Sequence, residues 1–430
     1  MIITVVGHGY VGLITACVFA DFGNKVWVIG HTKEKLAQLK KSDPIIFEPG
    51  LKELLQKNLK AKRIFFTDDY ENSVSESEII FIAVGTPPKE NGEADLTNVI
   101  DVTRKIAKNL KSKFTVVSCK STVPVGTNKK IETIIKRHKP KPSEFAVASV
   151  PEFLREGTGI YDTLNPDRIV LGSDSKKAID LLIKLHQPIN GKRIITNLAS
   201  AEMIKYASNS MLATKISFAN LVSFYCEKVG ANVTDVLNAV GLDNRIGRSF
   251  LYPGIGYGGS CLPKDVKAFF NTGKKLAINS KFLEVVEEIN KTAMDNFIEI
   301  VVKNAPGKKL GILGLSFKPN TDDIREAPSL YIIDQLLKQG FEIKAYDPVA
   351  MINVKKLFEN RISFKNDLYD ASAKTDAVLI ITEWNEFKQI DLSKIKKIMN
   401  HPFIFDGRNI YDPTVMKKLG FKYFSIGRPS

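Results

Sequence analysis

The residues best suited to chemistry in this 430-residue chain lie together in FLYPGIGYGGSCLPKD, from Phe250 to Asp265. Four glycines, Gly254, Gly256, Gly258 and Gly259, lead into one cysteine, Cys261, with Pro263, Lys264 and Asp265 behind it. Glycines at this density permit positive φ and a close approach of backbone to a ligand. A lysine three residues after a cysteine favours the thiolate, the form that attacks a carbonyl carbon. The stretch therefore reads as a loop that prepares a sulfur nucleophile; the alternative is a small, buried, inert cysteine in a structural loop.

A nucleophile of this kind needs partners held by regular elements, and the N-terminus supplies the first. The apolar run Ile2 to Val6 is followed by Gly7-His8-Gly9-Tyr10-Val11-Gly12 and a helical pattern through Phe22. Strand, GxGxxG and helix in that order form a dinucleotide-binding fingerprint. Gly7 makes the turn, Gly9 admits a pyrophosphate and Gly12 lets the helix pack closely, while the helix N-terminus offers its N–H groups to the phosphates. The second strand, Lys25 to Ile29, ends in Gly30 where an acidic residue usually holds the ribose 2′-OH, and His31, Thr32, Lys33 and Lys35 follow. NAD is the expected cofactor. Without the carboxylate nothing repels a 2′-phosphate, so NADP stands as the alternative.

Short β-rich runs then alternate with helical segments as far as Ser149, which predicts a doubly wound α/β domain with ligands at the C-terminal ends of its strands. Three of those ends carry Gly85-Thr86-Pro87, Lys120-Ser121-Thr122-Val123-Pro124 and Val150-Pro151-Glu152-Phe153-Leu154-Arg155-Glu156-Gly157. Thr86 and Thr122 either cap helices or face the cofactor, and their common address favours the second. From about Leu198 to Asn304 the pattern is helical. A long helix from Ala199 to Lys228 is expected to carry Met203, Tyr206, Ala207, Ser210 and Met211 on one stripe and Glu202, Lys205 and Asn209 on a polar face. Such a helix needs apolar partners, so a homodimer is expected. At Pro306-Gly307 the alternation resumes in a second, smaller α/β unit without a full GxGxxG, where Lys318 would act as a point charge for a different phosphate-bearing ligand. The fold class expected is α/β: two Rossmann-like doubly wound parallel-sheet domains, 1–197 and 305–430, joined by a central helical, dimerisation domain, 198–304.

Sixty-two lysines and arginines against 47 acidic residues give a formal charge of +15. The basic residues are dispersed and no nucleic-acid motif accompanies them, so the charge suits a small diphosphate substrate rather than a nucleic acid. Cys17, Cys119, Cys226 and Cys261 are far apart with no CxxC, which points to a reducing compartment and to neither a disulfide framework nor a metal site. The N-terminus lacks a signal-peptide pattern and no long uncharged apolar run occurs, so a cytoplasmic location without membrane contact is expected.

With these pieces placed, the chain resembles the UDP-glucose 6-dehydrogenase family from Met1 to about Asp412. The matching stretches include GHGYVG, STVPVGT from Ser121, PEFLREGTGIYD from Pro151, NPDRIV from Asn165, AEMIKYASN from Ala201, PGIGYGGSCLPKD, GLSFKPNTDDIREAPS from Gly314 and DGRN. The resemblance implies a four-electron oxidation of UDP-glucose to UDP-glucuronate with two NAD, through a thiohemiacetal and then a thioester on Cys261. Lys205 and Asn209 would hold the oxyanion, Asp265 would take the first proton through a water or Lys205, and Glu152 or Glu156 would activate the hydrolytic water. Thr122 belongs to the catalytic and the cofactor sets alike. For the cofactor the pattern implies the glycine turn with Tyr10 and Val11, Gly30, Lys35, Thr86, Thr122, Glu156, Lys264 and Arg325. For the nucleotide sugar it implies Glu152, Phe153, Leu154, Arg155, Glu156, Lys205, Asn209, Arg245, Phe250, Leu251, Tyr252, Pro253, Gly254, Gly258, Lys318 and Arg408. The alternatives are another nucleotide-sugar 6-dehydrogenase, acting on UDP-N-acetylmannosamine or GDP-mannose, and a non-catalytic dinucleotide-binding redox sensor.

Overall fold

Strands buried on both faces need continuous apolar runs, and the central strands of this chain have them. A computed structural model describes residues 1–429. Its first sheet has eight strands: β1 (Ile2–Val6), β2 (Lys25–Ile29), β3 (Ile64–Thr67), β4 (Ile79–Ile82), β5 (Thr115–Cys119), β6 (Phe145–Ser149), β7 (Arg168–Gly172) and β8 (Lys192–Thr196). Every residue of β4 and β5 is buried, and each large apolar side chain so placed contributes about 1.5–3 kcal/mol. The strand order is β3-β2-β1-β4-β5-β6-β7-β8. Its first six positions repeat the dinucleotide-fold order, with the switch point between β1 and β4.

The parallel-sheet α/β class expected is the one found, with one local departure in the first sheet. β6 and β7 run antiparallel, paired at Ser149 and Gly172. Only the six-residue helix Gly159–Leu164 lies between them, so no full crossover returns the chain to the starting edge. The helix Tyr10–Asp21 is buried on nearly every side, because it packs on the sheet and against the helices Leu51–Lys60 and Gly159–Leu164.

The second sheet contains β9 (Lys309–Leu313), β10 (Glu342–Tyr346), β11 (Ser363–Phe364), β12 (Ala377–Ile380), β13 (Phe403–Asp406) and β14 (Lys422–Ser425), in the order β11-β10-β9-β12-β13-β14 and parallel throughout. Counted from its own first strand this is again 3-2-1-4-5-6. Between the sheets in sequence lie the helices Leu198–Val229, Val233–Leu242, Leu262–Lys275 and Lys281–Asn304. The chain packs as two compact units, one ending at Ser208 and one starting at Asn209.

The long helix reverses the expected polarity. Glu202, Lys205, Asn209, Ser210, Ser217, Asn220 and Ser223 are buried, whereas Met203, Met211, Phe218 and Tyr225 are exposed. The stripe drawn through Met203, Tyr206, Ala207, Ser210 and Met211 is therefore split, with Tyr206 and Ser210 inside and Met203, Ala207 and Met211 outside. Buried polar groups persist only when bonded, and several here are. Glu202 accepts from the backbone N–H groups of Gly126 and Asn128 at 2.7 and 2.8 Å and from Asn128 Nδ2 at 2.7 Å. It thereby caps the helix Thr127–His138, whose own N-cap is Gly126. Burial nevertheless raises the Glu202 carboxyl above its ordinary range.

Candidate active site

The glycine turn after β1 meets the steric demands of a dinucleotide cradle. A Cβ on Gly7, at φ +118°, would lie 2.3 Å from the Ala83 carbonyl oxygen at the end of β4, whereas one on Gly9 would meet nothing within 4 Å. Open space therefore lies beside the N-terminus of Tyr10–Asp21, a helix with no side-chain cap and no acidic residue in its first turn. That combination suits a pyrophosphate and leaves the backbone N–H groups to bind it. The Tyr10 side chain has another task. Its hydroxyl donates to Glu48 and accepts from Gly157 N at 2.7 Å, and Glu48 also accepts from Gly157 N and Ile160 N at 2.7 and 3.2 Å. Burial and the Glu48 charge hold its phenol well above the ordinary range. Tyr10 thus anchors the segment that carries Glu156.

Neither threonine caps a helix, since the following helices begin at N-caps Leu96 and Gly126. Thr86 Oγ1 instead donates to the Thr122 carbonyl at 2.9 Å, which ties the ends of β4 and β5 together. At the end of β6, Glu152 Oε1 lies 3.2 Å from Lys205 Nζ, and Glu152 Oε2 accepts from Leu154 N at 2.8 Å. Both partners of this ion pair are buried, and each would be costly alone. The Lys205 ammonium also lies 5.2 Å from the Phe153 ring centroid, and the Arg168 guanidinium lies 4.0 Å from it. Arg155 points elsewhere, in a bidentate pair with Asp162.

Lys120, at the end of β5, opens the strand-end stretch read from the sequence, but no role is assigned to it there. It is buried, with Nζ 3.5 Å from the Val150 carbonyl oxygen. Burial pulls its pKa down to about 8, opposed by the Glu152 charge and reinforced by Lys205. Its position directly before Ser121-Thr122, in an otherwise apolar strand ending, is the signal that marks it.

In the second unit Cys261 is exposed and is the N-cap of the helix Leu262–Lys275, which has Pro263 in its first turn. The sequence reading missed this helix, although proline just inside a start is a helix signal. A helix N-terminus favours negative charge on a group placed there. Lys264, expected to support the thiolate, directs its ammonium to Asp265 Oδ1 at 2.5 Å, and Asn209 Nδ2 donates to Asp265 Oδ2 at 2.6 Å. Asp265 is 1 % exposed, so these two donors hold a carboxylate that water barely reaches.

The glycines before Cys261 answer to protein rather than to open space. A Cβ on Gly258 would fall 2.1 Å from the Glu326 carbonyl oxygen, and one on Gly259, at φ +87°, would fall 2.7 Å from the Phe317 ring. Gly259 N donates to the Arg325 carbonyl at 2.9 Å. Three side chains fix the rest of the loop: Asn220 Oδ1 accepts from Gly254 N at 2.8 Å, Asn290 Oδ1 accepts from Tyr257 N at 2.8 Å, and Arg408 Nη1 donates to the Gly256 carbonyl at 2.9 Å. The cysteine loop is thus moulded onto the second sheet's own loops. Asn220 and Asn290 were not foreseen, and their only signal is an amide at an inward position of a helix. Of the remaining expected residues, Phe250 is left-handed at φ +67°, Leu251 is buried and Tyr252 is exposed. Arg245 and Arg325 each form a bidentate pair two residues away, with Asp243 and Asp323. Lys318 Nζ lies 5.5 Å from the Phe317 ring centroid.

The second sheet repeats the dinucleotide order but not the cradle. Asp347, after β10, occupies the position of a ribose-binding acid, yet its Oδ2 accepts from Leu315 N, Ser316 N and Ser316 Oγ at 2.7–3.0 Å. The N–H groups after β9 that would otherwise face a phosphate are taken by this side chain.

An open glycine cradle on the first sheet and a closed one on the second define a dinucleotide-binding protein with one dinucleotide domain and a second, modified Rossmann domain. Residues 1–190 match the NAD binding domain of the UDP-glucose/GDP-mannose dehydrogenase family, residues 199–292 its central domain and residues 311–413 its UDP binding domain. The chain belongs to this family. It is 44 % identical over 431 residues to the UDP-glucose 6-dehydrogenase TuaD of Bacillus subtilis, covering all of this chain and 93 % of that one. It is also 44 % identical over 439 residues to the UDP-glucose 6-dehydrogenase of Rhizobium meliloti, covering both chains fully. The solved UDP-glucose dehydrogenase of Pyrobaculum islandicum superposes with a TM-score of 0.91 at 32 % identity, covering 99 % of this chain and 96 % of that one. The expected NAD therefore agrees with the family of the N-terminal domain. No helix among the described residues is long and apolar enough to cross a membrane.

Proposed function

We propose that the protein oxidises UDP-glucose to UDP-glucuronate, removing four electrons in two steps. The observation that carries this reading is the exposed sulfur of Cys261 at a helix N-terminus, four residues before an Asp265 held by Asn209 and Lys264. The glycine turn with Val11, Lys35, Thr86, Thr122, Glu156, Lys264 and Arg325 would hold NAD, which would supply the hydride acceptor for both steps. Asp265 receives the proton of the C6 hydroxyl through a water or Lys205. Cys261 Sγ then adds to the aldehyde carbon, and the thiohemiacetal becomes a thioester when the second hydride leaves. Water cleaves that thioester, which releases the carboxylate and returns the thiol. Lys205 and Asn209, one turn apart on one helix, hold the oxygen that carries developing charge, a type of contact worth about 3 kcal/mol per donor. The base for hydrolysis is assigned to Glu152, the carboxylate bonded to Lys205. The UDP moiety is assigned to Phe250 to Gly254, Gly258 and Lys318, with Arg408 supporting the loop from behind. A division into domains at 1–197, 198–304 and 305–430 and a cytoplasmic location fit this activity.

A homodimer is proposed through the long helix. Met211, Phe218 and Tyr225 recur every seven residues and are 59, 49 and 66 % exposed, which draws an apolar seam along one face for a second copy of the chain.

The test is a count of NADH formed per UDP-glucose consumed. Two supports the four-electron scheme; one contradicts it. UDP-N-acetylmannosamine and GDP-mannose assayed alongside distinguish the substrate, and faster turnover of either than of UDP-glucose would reassign it.

A further inference from the structure

The end of β2 departs from the NAD pattern, and the structure shows why. A Cβ on Gly30 would lie 2.8 Å from His8 Nδ1 and 2.8 Å from Leu36 Cδ2. The place where an acidic side chain would leave the backbone is therefore filled by the imidazole of the second residue in the glycine turn. Gly30 is enforced by packing, and no carboxylate can stand there while His8 keeps its position.

The groups beside that imidazole are basic side chains, His31 and Lys35. His8 is buried and meets His31 edge to face at 5.6 Å between ring centroids. Burial first, then His31 and Lys35, press His8 toward its neutral form. Thr32 is the N-cap of the helix Lys33–Lys40, yet its side chain makes no capping bond. Glu34 is the one acid in that helix's first turn. In a dinucleotide fold this corner receives the adenosine ribose, where an acid selects the 2′-hydroxyl and cations accommodate a 2′-phosphate.

We propose that His8, His31, Thr32 and Lys35 form a binding site for an adenosine 2′-phosphate, so that the protein takes NADP as well as NAD. Lys33, on the same first turn, adds to the positive field. The inference deepens the cofactor half of the proposed function and rests on the cradle around Gly9, not on the identity of the sugar.

The test is equilibrium binding to the full chain by calorimetry, with adenosine 2′,5′-bisphosphate and 5′-AMP as probes. The bisphosphate is expected to bind about tenfold tighter or better; a smaller advantage overturns the proposal. In Lys35→Ala the ratio is expected to fall about threefold or more, the bisphosphate losing more affinity than 5′-AMP, and a smaller fall places the recognition elsewhere and overturns the assignment. The double variant His8→Ala, Gly30→Asp is expected to reverse the preference, because the freed space then holds a carboxylate; a retained preference for the bisphosphate also counts against it. UDP-glucose oxidation with NAD is measured separately, so that reading can stand while this one falls.

Discussion

Asn209 Nδ2 lies 2.6 Å from Asp265 Oδ2, and both side chains are buried. The pair joins the helix Leu198–Val229 to the first turn of Leu262–Lys275, four residues beyond Cys261. Asn209→Ala removes a donor from a carboxylate that water cannot reach, and is expected to cost about 2–3 kcal/mol in urea unfolding as well as activity. Asn209→Asp sets two carboxylates side by side and is expected to cost more. Stability equal to that of the parent in both variants would show that the bond has no structural role.

Cys261→Ser separates chemistry from folding. The residue is exposed and serves as an N-cap, a position where serine is preferred. The melting temperature is therefore expected to hold, while NADH production falls by about a thousandfold or more, because the alkoxide equivalent neither forms readily nor leaves as a thiolate does. Turnover within tenfold of the parent would remove sulfur from the mechanism.

His186 should make the first unit sensitive to acid. The ring is buried edge-on against Phe19 at 5.3 Å, with Nδ1 2.8 Å from the Leu182 carbonyl oxygen, and burial lowers its pKa to about 4. Unfolded, the same side chain titrates near 6.5. Between these values the unfolded chain binds a proton that the folded chain does not, so stability is complete above about 6.5 and is lost as pH falls toward about 4. The loss expected is about 3 kcal/mol at most. Urea unfolding at pH 7 and 4.5 should show His186→Asn losing less over this interval than the parent, and identical slopes would exclude His186 as the cause.

Phe218 and Tyr225 test the seam on the long helix. Both are about half exposed or more, so Phe218→Glu with Tyr225→Glu leaves the core of the unit alone and charges only the proposed interface. Sedimentation velocity is expected to show a dimer for the parent and a monomer for the double variant, with little change in helix content. A monomeric parent would refute the seam.

The order of elements was legible where a strand is central and a helix has punctuation. β1, β2, β4 and β5 are buried apolar runs, and GHGYVG stands between a strand and a helix as its chemistry demands. The sequence does not mark β7, β8, β11 and β14: the last three lie at sheet edges, where only part of each strand is covered and the apolar signal weakens, whereas β7 is a buried run beyond the doubly wound core. Leu262–Lys275 went unread because a cysteine loop rich in glycine hid its N-cap. The long helix was found, yet its inward face was assigned wrongly, since a polar row ordinarily means solvent and here means Glu202, Lys205 and Asn209 bonded inside.

The amino-acid order alone determined which groups the protein has for chemistry: a thiol behind glycines, a lysine and an asparagine one turn apart, a glycine turn for a pyrophosphate and no acid after the second strand. Only the tertiary structure decided what each group answers to. Gly30 yields to the ring of His8, the loop glycines yield to Glu326 and Phe317, and Lys264 and Asn209 both converge on Asp265. Such pairings depend on distances between residues remote in sequence, and local propensity carries no information about them.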